Sequence, residues 1–278
     1  PTIGGKWNRL TDGSVQAIYT ADELAIILGF QGFTFTPEQV GAFDRDELAW
    51  ILSGAAEEDL LPAQVVIHQA PRQSLRVRVY EALLTCCETP GSPSDGAIWL
   101  DREKGIAPAT QAEFGIAWLK DWEKADRELR ATFGDGDLAS LGLLAVEKKT
   151  GKITGLRFKG HRLIFPFWLT LDGRRYPVYV QGRNIHAQDK RERFNNPSGS
   201  VPCLYNFDAI QAARAAGKPV ILCEGATDTL TLAQNGYHSV GIVGTQGFKP
   251  EWTRHLAGLE ILLATDGDQA GREAARKI

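Results

Sequence analysis

Glu224-Gly225 and Asp266-Gly267-Asp268 are the two places where this chain groups carboxylates in a pattern suited to chemistry. Each follows an apolar run, Val220-Ile221-Leu222-Cys223 in the first case and Ile261-Leu262-Leu263-Ala264 in the second. An apolar run of that length ending beside Gly has the pattern of a buried parallel strand. Open α/β sheets place their ligands at such strand ends. Three carboxylates converging there suit a hard divalent cation such as Mg²⁺. Two such ions about 4 Å apart clamp the attacking and leaving oxygens of an in-line phosphoryl displacement. Asp266 and Asp268 are two apart, so extended backbone points them the same way. Glu224 either completes the cage or acts as a general base on a hydroxyl. Asp228, one helical turn later, leans back toward the same place. Glu-Gly alone is common, and Asp-Gly-Asp alone is more often a turn. It is their joint placement at two strand ends, each followed by a helix, that indicates a metal site.

The elements that must position these groups follow from the pattern around them. Strand Val220–Cys223, a helix from Thr227 to Asn235, strand Val240–Val243, a helix from Glu251 to Leu256, strand Ile261–Ala264 and a helix from Ala270 alternate in β-α-β-α-β-α order. That order predicts a parallel sheet. Right-handed crossovers bring the ends of the first and third strands together. Upstream, from about Leu143 to Tyr205, short strands and turns dominate. Ile164–Trp168 leads through the turn Leu171-Asp172-Gly173 into the return strand Tyr176–Gln181, a hairpin. Ala97–Ile106 and Ala109–Glu128 read as two helices, with Trp118 and Trp122 four apart on one face of the second, either packing in the core or stacking on bases. Thr89 to Gly96, rich in Pro, Gly and Ser, is the clearest linker.

Residues 1–90 read as a small helix-rich unit. Thr20-Ala21-Asp22-Glu23 opens the run Leu24–Leu28, Thr36-Pro37 starts a helix that continues through Leu52, and a third helix covers Leu75 to Cys87. The expected fold is therefore α/β and α+β. A parallel sheet with flanking helices (216–278) is preceded by a mixed basic subdomain (97–215) and a small helical N-terminal domain (1–90).

The chain has 278 residues, 43% of them hydrophobic and 23% charged, which is ordinary for a globular protein. No run approaches the roughly 20 apolar residues of a membrane span. The four cysteines show no CxxC spacing, so a zinc site is not expected, and reduced thiols in a cytoplasmic protein are. Net charge is −3, but its distribution is uneven. Between Lys152 and Arg193 ten Lys or Arg face three acidic residues, a local charge of +7 around the hairpin. A basic face on an acidic chain suits a phosphate-bearing partner.

Glu224-Gly225 with Asp228, followed by Asp266-Gly267-Asp268 and Ala270-Gly271-Arg272, resembles a Toprim domain, and the Gly-Arg tail is most like the primases. His161-Arg162-Leu163-Ile164-Phe165-Pro166-Phe167, Gly182-Arg183, Arg193-Phe194-Asn195-Asn196-Pro197 and Leu204-Tyr205 resemble, in that order, the RNA-polymerase domain of DnaG-type primases. Lys104-Gly105-Ile106 to Phe114-Gly115-Ile116 is similar to that domain's start. The resemblance spans about residues 97–278. It implies synthesis of short RNA primers on single-stranded DNA from ribonucleoside triphosphates. Glu224 is then the catalytic acid, and Asp228, Asp266 and Asp268 are metal-site carboxylates for Mg²⁺ or Mn²⁺. Arg162, Arg183 and Arg193 contact template or nucleotide phosphates, and Arg272 either does the same or forms a salt bridge on its own helix.

Where the family carries a zinc-binding module this chain has residues 1–90. The family's further acidic motif would fall beyond Ile278, so a fragment or a degenerate form, truncated within the Toprim domain, is expected. A replicative helicase is an expected partner, through residues 1–90 or a missing C-terminal region. A phage or mobile-element origin fits the unusual N-terminus. The alternatives are a Toprim nuclease using the same carboxylates, and a non-catalytic nucleic-acid or nucleotide-binding module.

Overall fold

The computed structural model describes residues 6–9, 15–20, 64–68, 75–147, 149–171, 174–200, 203–242, 248–249, 252–267 and 269–277. The chain divides into two compact units. One comprises Pro1–Arg78 with Leu169–Tyr176, the other Val79–Trp168 with Pro177–Ile278.

In the first unit, β1 (Lys6–Arg9) pairs antiparallel with β2 (Val15–Thr20), which pairs in parallel with β3 (Gln64–His68). These strands were not expected from the helix-rich reading of this segment. Val15, Ala17 and Tyr19 alternate with Gln16, Ile18 and Thr20, a weak period-two pattern that the stronger helix-start signals after it mask. The helices expected at Leu24–Leu28 and Thr36–Leu52 lie outside the described residues. The third is present as α1 (Leu75–Thr85).

Next comes α2 (Asp95–Lys104), which begins inside the expected linker. Ser94 caps it by accepting from the Ala97 amide at 3.1 Å, and Gly105 ends it at φ +64°. Asp95 in the first turn and Lys104 in the last complement its dipole. The single helix expected over Ala109–Glu128 is instead three elements: α3 (Pro108–Glu113), β4 (Ala117–Trp118) and α4 (Trp122–Ser140). Gly115 breaks the run at φ +67°, with the Trp168 ring 2.8 Å from where a Cβ would sit. Asp121 then restarts a helix by accepting from the Lys124 amide at 2.8 Å. Trp118 is buried on a strand opposite Leu163, so the two tryptophans share no helical face.

β5 (Leu144–Val146) and β6 (Ile153–Leu156) form a small antiparallel pair. The central sheet runs β4, β7 (Leu163–Leu171), β8 (Arg174–Arg183) and β9 (Phe194–Asn195). β8 is buried continuously from Tyr176 to Arg183, and so is covered on both faces. Phe165, Phe167, Tyr179 and Tyr205 pack edge to face, with Phe167 4.8 Å from Tyr205 and 5.0 Å from Tyr179. The hairpin turn itself, Asp172-Gly173, lies outside the described residues.

α5 (Asp208–Ala216) leads to β10 (Val220–Cys223), α6 (Ala226–Gln234), β11 (Ser239–Gly241), α7 (Thr253–Leu256), β12 (Ile261–Ala264) and α8 (Gln269–Lys277). The sheet is parallel in the order β11-β10-β12, with Cys223 level with both Gly241 and Ala264. The strand boundaries at Val220–Cys223 and Ile261–Ala264 match the sequence reading. A backbone bridge between Tyr205 and Gly241, 2.9 and 3.0 Å, ties this sheet to the aromatic core. Gly241 permits the approach, because a Cβ there would meet Thr229 Oγ1 at 2.5 Å. One expectation fails: β12 is not buried. Leu262 and Leu263 are 44% and 40% exposed, because β12 is an edge strand among the described residues, with a neighbour on one side only.

Candidate active site

The register of the parallel sheet ends β10 and β12 side by side, and the chain leaves both strands into the acidic residues. The Asp266 amide donates to Glu224 Oε1 at 3.0 Å, which fixes the two motifs against each other. α8 then packs onto this contact at Gly271. A Cβ at that position would overlap the Asp266 carbonyl and stand 2.8 Å from Glu224 Oε1. Arg272, one residue on, donates to the Gly267 carbonyl and so holds the loop between the motifs and the helix.

Asp228 sits in the first turn of α6, where the helix dipole favours a carboxylate. Its carboxyl oxygen lies 3.3 Å from where a Cβ on Gly225 would be. The residue keeps an exposed face. Even so, its carboxyl is held above the usual aspartate range, first by partial desolvation and next by the charge of Asp266. Lys104 and Arg183 oppose the rise. Asp228 and Asp266 therefore act on each other electrostatically. Asp268 lies outside the described residues. Among the described residues no three His, Cys, Asp or Glu side chains enclose a cation by themselves.

Arg183 closes the other side of the site. It ends β8 opposite Phe194 on β9 and is only 8% exposed. Its Cζ lies over two rings, 4.5 Å from the centroid of Trp99 and 4.6 Å from that of Phe194. Burial, and next the charge of Arg193, push the guanidinium down to about 10, while Asp228 pulls it back up. Gly182 lets the strand end pass close to its neighbours, since a Cβ there would meet the His161 carbonyl at 2.7 Å. Lys104 Nζ stands 5.4 Å from the Trp99 ring, on the same helix.

The other predicted arginines divide. Arg193, beside Arg183, caps the short 3₁₀ turn Lys190–Glu192, and its carbonyl accepts from the Asn184 amide at 2.8 Å. Arg162 is engaged elsewhere, donating to the carbonyls of Lys159 and Lys120 at 3.3 Å. Arg157, which carried no assigned role, holds the Asn196 carbonyl at 2.6 Å and so fixes the segment after β9. Trp99, Lys104 and Phe194 were missed as site neighbours. The cross-strand register that puts Phe194 against Arg183 is not readable before the sheet is known. Trp99 lies between Ile98 and Leu100 in α2, so its sequence neighbours gave no signal that it belongs to the site.

Residues 221–278, which hold every acidic group of the site, match the Toprim-like family. This segment is similar to Toprim-like domains. Over 182 residues, 62% of this chain and 26% of that protein, the sequence is 26% identical to a DNA primase of Pseudomonas putida. It is also 27% identical over 97 residues to the Gene 57 protein of Mycobacterium phage D29, covering 34% of this chain and 62% of that one. Two solved structures share the fold. The zinc-binding and RNA-polymerase domains of the Aquifex aeolicus primase superpose with a TM-score of 0.58 at 20% identity, over 73% of this chain and 50% of that one. The RNA-polymerase domain of Mycobacterium tuberculosis primase DnaG, in complex with a double-stranded DNA oligomer with a 6-nucleotide overhang, gives 0.58 at 20% identity, over 76% and 69%. The Toprim-like domain thus stands in a DnaG-type primase fold. The chain spans about a quarter of the length of the Pseudomonas primase it matches. Among the described residues no helix is long and apolar enough to cross a membrane.

Proposed function

We propose that the chain carries the catalytic core of a DNA primase, joining ribonucleotides on a single-stranded DNA template. The observation that carries this reading is a carboxylate edge with a buried cation acting on it. Glu224 is bonded to the Asp266 amide, Asp228 lies close to Gly225, and Arg183 acts on the Asp228 charge without a carboxylate ion pair of its own among the described residues. A buried guanidinium without a protein counter-ion suits an anionic ligand, and its planar fork matches phosphate oxygens.

Asp228 and Asp266 repel each other as apo carboxylates, and a divalent cation relieves that repulsion. The donor set fits: Asp228, Asp266 and Asp268 supply hard oxygen ligands for Mg²⁺ or Mn²⁺. When bound, the ion neutralises charge on the phosphates and lowers the pKa of a coordinated hydroxyl.

The chain's own residues do the rest. Arg183 and Arg193 hold the triphosphate, and Arg162 contributes to the template side. The 3′-hydroxyl oxygen of one nucleotide bonds to the α-phosphorus of the next. The bond from that phosphorus to the bridging oxygen breaks, and pyrophosphate leaves with the electron pair. The hydroxyl proton passes to Glu224 Oε2, which has no partner among the described residues. Arg272 keeps Asp266 in place through the Gly267 carbonyl. Positioning and charge stabilisation supply most of the acceleration.

The test labels template and nucleotide separately and adds Mg²⁺ or Mn²⁺. Labelled RNA that depends on template supports the primase. Shortened template with no RNA transfers the same carboxylates to a nuclease. Bound template with neither product leaves a binding module.

A further inference from the structure

Arg183 is held in an unusual way for a buried cation. No carboxylate pairs with it, and its Nε has no hydrogen-bond partner among the described residues. What covers it is aromatic: Trp99 from α2 and Phe194 from the facing strand. Ring faces stabilise a desolvated guanidinium while leaving its in-plane N–H groups unspent. Trp99 also lies under a second cation, Lys104. Both cations act on the Asp228 carboxylate. One indole ring therefore contacts both positive groups that act on Asp228.

The helix that carries Trp99 is itself fixed. A Cβ on Gly96 would meet the Trp118 ring at 2.5 Å and Leu163 at 2.9 Å, so α2 lies close against the central sheet. At its other end the Gln234 side chain of α6 takes the Gly105 carbonyl at 2.7 Å and the Ala107 amide at 3.1 Å. Trp99 is thus held on a surface tied to the helix that carries Asp228.

We propose that Trp99 is a positioning residue for polyphosphate recognition, its ring fixing Arg183 and Lys104 so that a triphosphate meets a preset pair of cations. The inference rests on the nucleotide-handling reading of this site. It assigns Trp99 no base contact: the ring faces are committed to cations. Phe194, opposite Arg183 on β9, supplies a second ring to the guanidinium.

The experiment measures binding of inorganic triphosphate, and in parallel of ATP, to the full chain by calorimetry. Trp99→Phe and Trp99→Leu are compared in the native and Arg183→Ala backgrounds. Trp99→Leu fills volume without a π face, so it separates ring electrostatics from packing. The expected result is about tenfold weaker binding of both ligands in Trp99→Leu. Trp99→Phe retains most of the affinity, and Trp99→Leu adds a smaller loss in the Arg183→Ala background, where Lys104 is the one cation left for the ring to position. Loss of ATP binding with inorganic triphosphate unaffected would make Trp99 a base-stacking residue and overturn the proposal. An equal loss in both backgrounds, or no binding of inorganic triphosphate by the unaltered chain, would overturn it too. Binding needs no RNA synthesis, so a chain that binds as expected yet makes no primer refutes the primase reading and leaves this inference standing.

Discussion

Glu224 and Asp266, 42 residues apart in sequence, meet through one hydrogen bond from the Asp266 amide to Glu224 Oε1. The bond uses one carboxylate oxygen for architecture and leaves the other for chemistry. It also means that the geometry of the acidic edge depends on the backbone after β12, not on side-chain rotamers alone. Gly271 is where α8 presses on that contact.

Gly271→Ala should therefore damage the site without touching a functional group. The added methyl overlaps the Asp266 carbonyl and crowds Glu224 Oε1 at 2.8 Å, and overpacking of this kind costs about 1–3 kcal/mol. Urea unfolding should show the loss, and nucleotide incorporation should fall further than the stability loss accounts for. Unchanged values for both would mean that α8 is free to move away.

Asp228 gives a pH prediction. Its carboxyl is raised by desolvation, then by Asp266. A raised carboxyl favours the folded state when protonated, so its contribution is full below the unfolded aspartate value of about 4. That contribution is lost as pH rises through the raised value. Without divalent cation, Asp228→Asn should remove that loss and raise the melting temperature at neutral pH; with Mg²⁺ present, it should abolish synthesis. Adding Mg²⁺ should raise the melting temperature of the unaltered chain more than that of the variant. Scanning calorimetry across pH 3 to 8 checks both.

Gln234 clips α6 to the turn after α2, donating to the Gly105 carbonyl and accepting from the Ala107 amide and the Thr110 hydroxyl. Gln234→Ala should cost about 1 kcal/mol, the ordinary net value of such bonds. Gln234→Glu should cost more, because its second oxygen then faces the Gly105 carbonyl with no proton to offer. Denaturant midpoints of the two variants give the order.

The acidic strand ends were readable in advance because their strands are short, apolar and bounded by Gly, and both boundaries agree with the structure. The Arg183 cradle was not readable, since it depends on Phe194 lying opposite Arg183 in the sheet. Around Trp118 the helical spacing misled. Gly115 and the capping Asp121 were local breakers that outweighed it. The exposure of Leu262 and Leu263 is a property of sheet order, which apolar content alone does not encode.

The cysteines offer a control on the core. Burial, first of all, pushes the Cys223 thiol up to about 11, and it does the same at Cys86. At pH 8 roughly one thiol in a thousand is then the reactive thiolate. Alkylation of Cys223 and Cys86 should be slow in the folded chain and rapid in denaturant, followed by mass spectrometry. Fast labelling of Cys223 in native buffer would place β10 outside the core.

The central claim is that the Glu224–Asp266 edge joins ribonucleotides on a DNA template. Its most direct test is incorporation of labelled ribonucleotide on single-stranded DNA with Mg²⁺ or Mn²⁺, comparing the unaltered chain with Glu224→Gln. The account predicts template-dependent RNA from the unaltered chain and a loss of at least about a hundredfold in the variant. Equal RNA synthesis by both would contradict it.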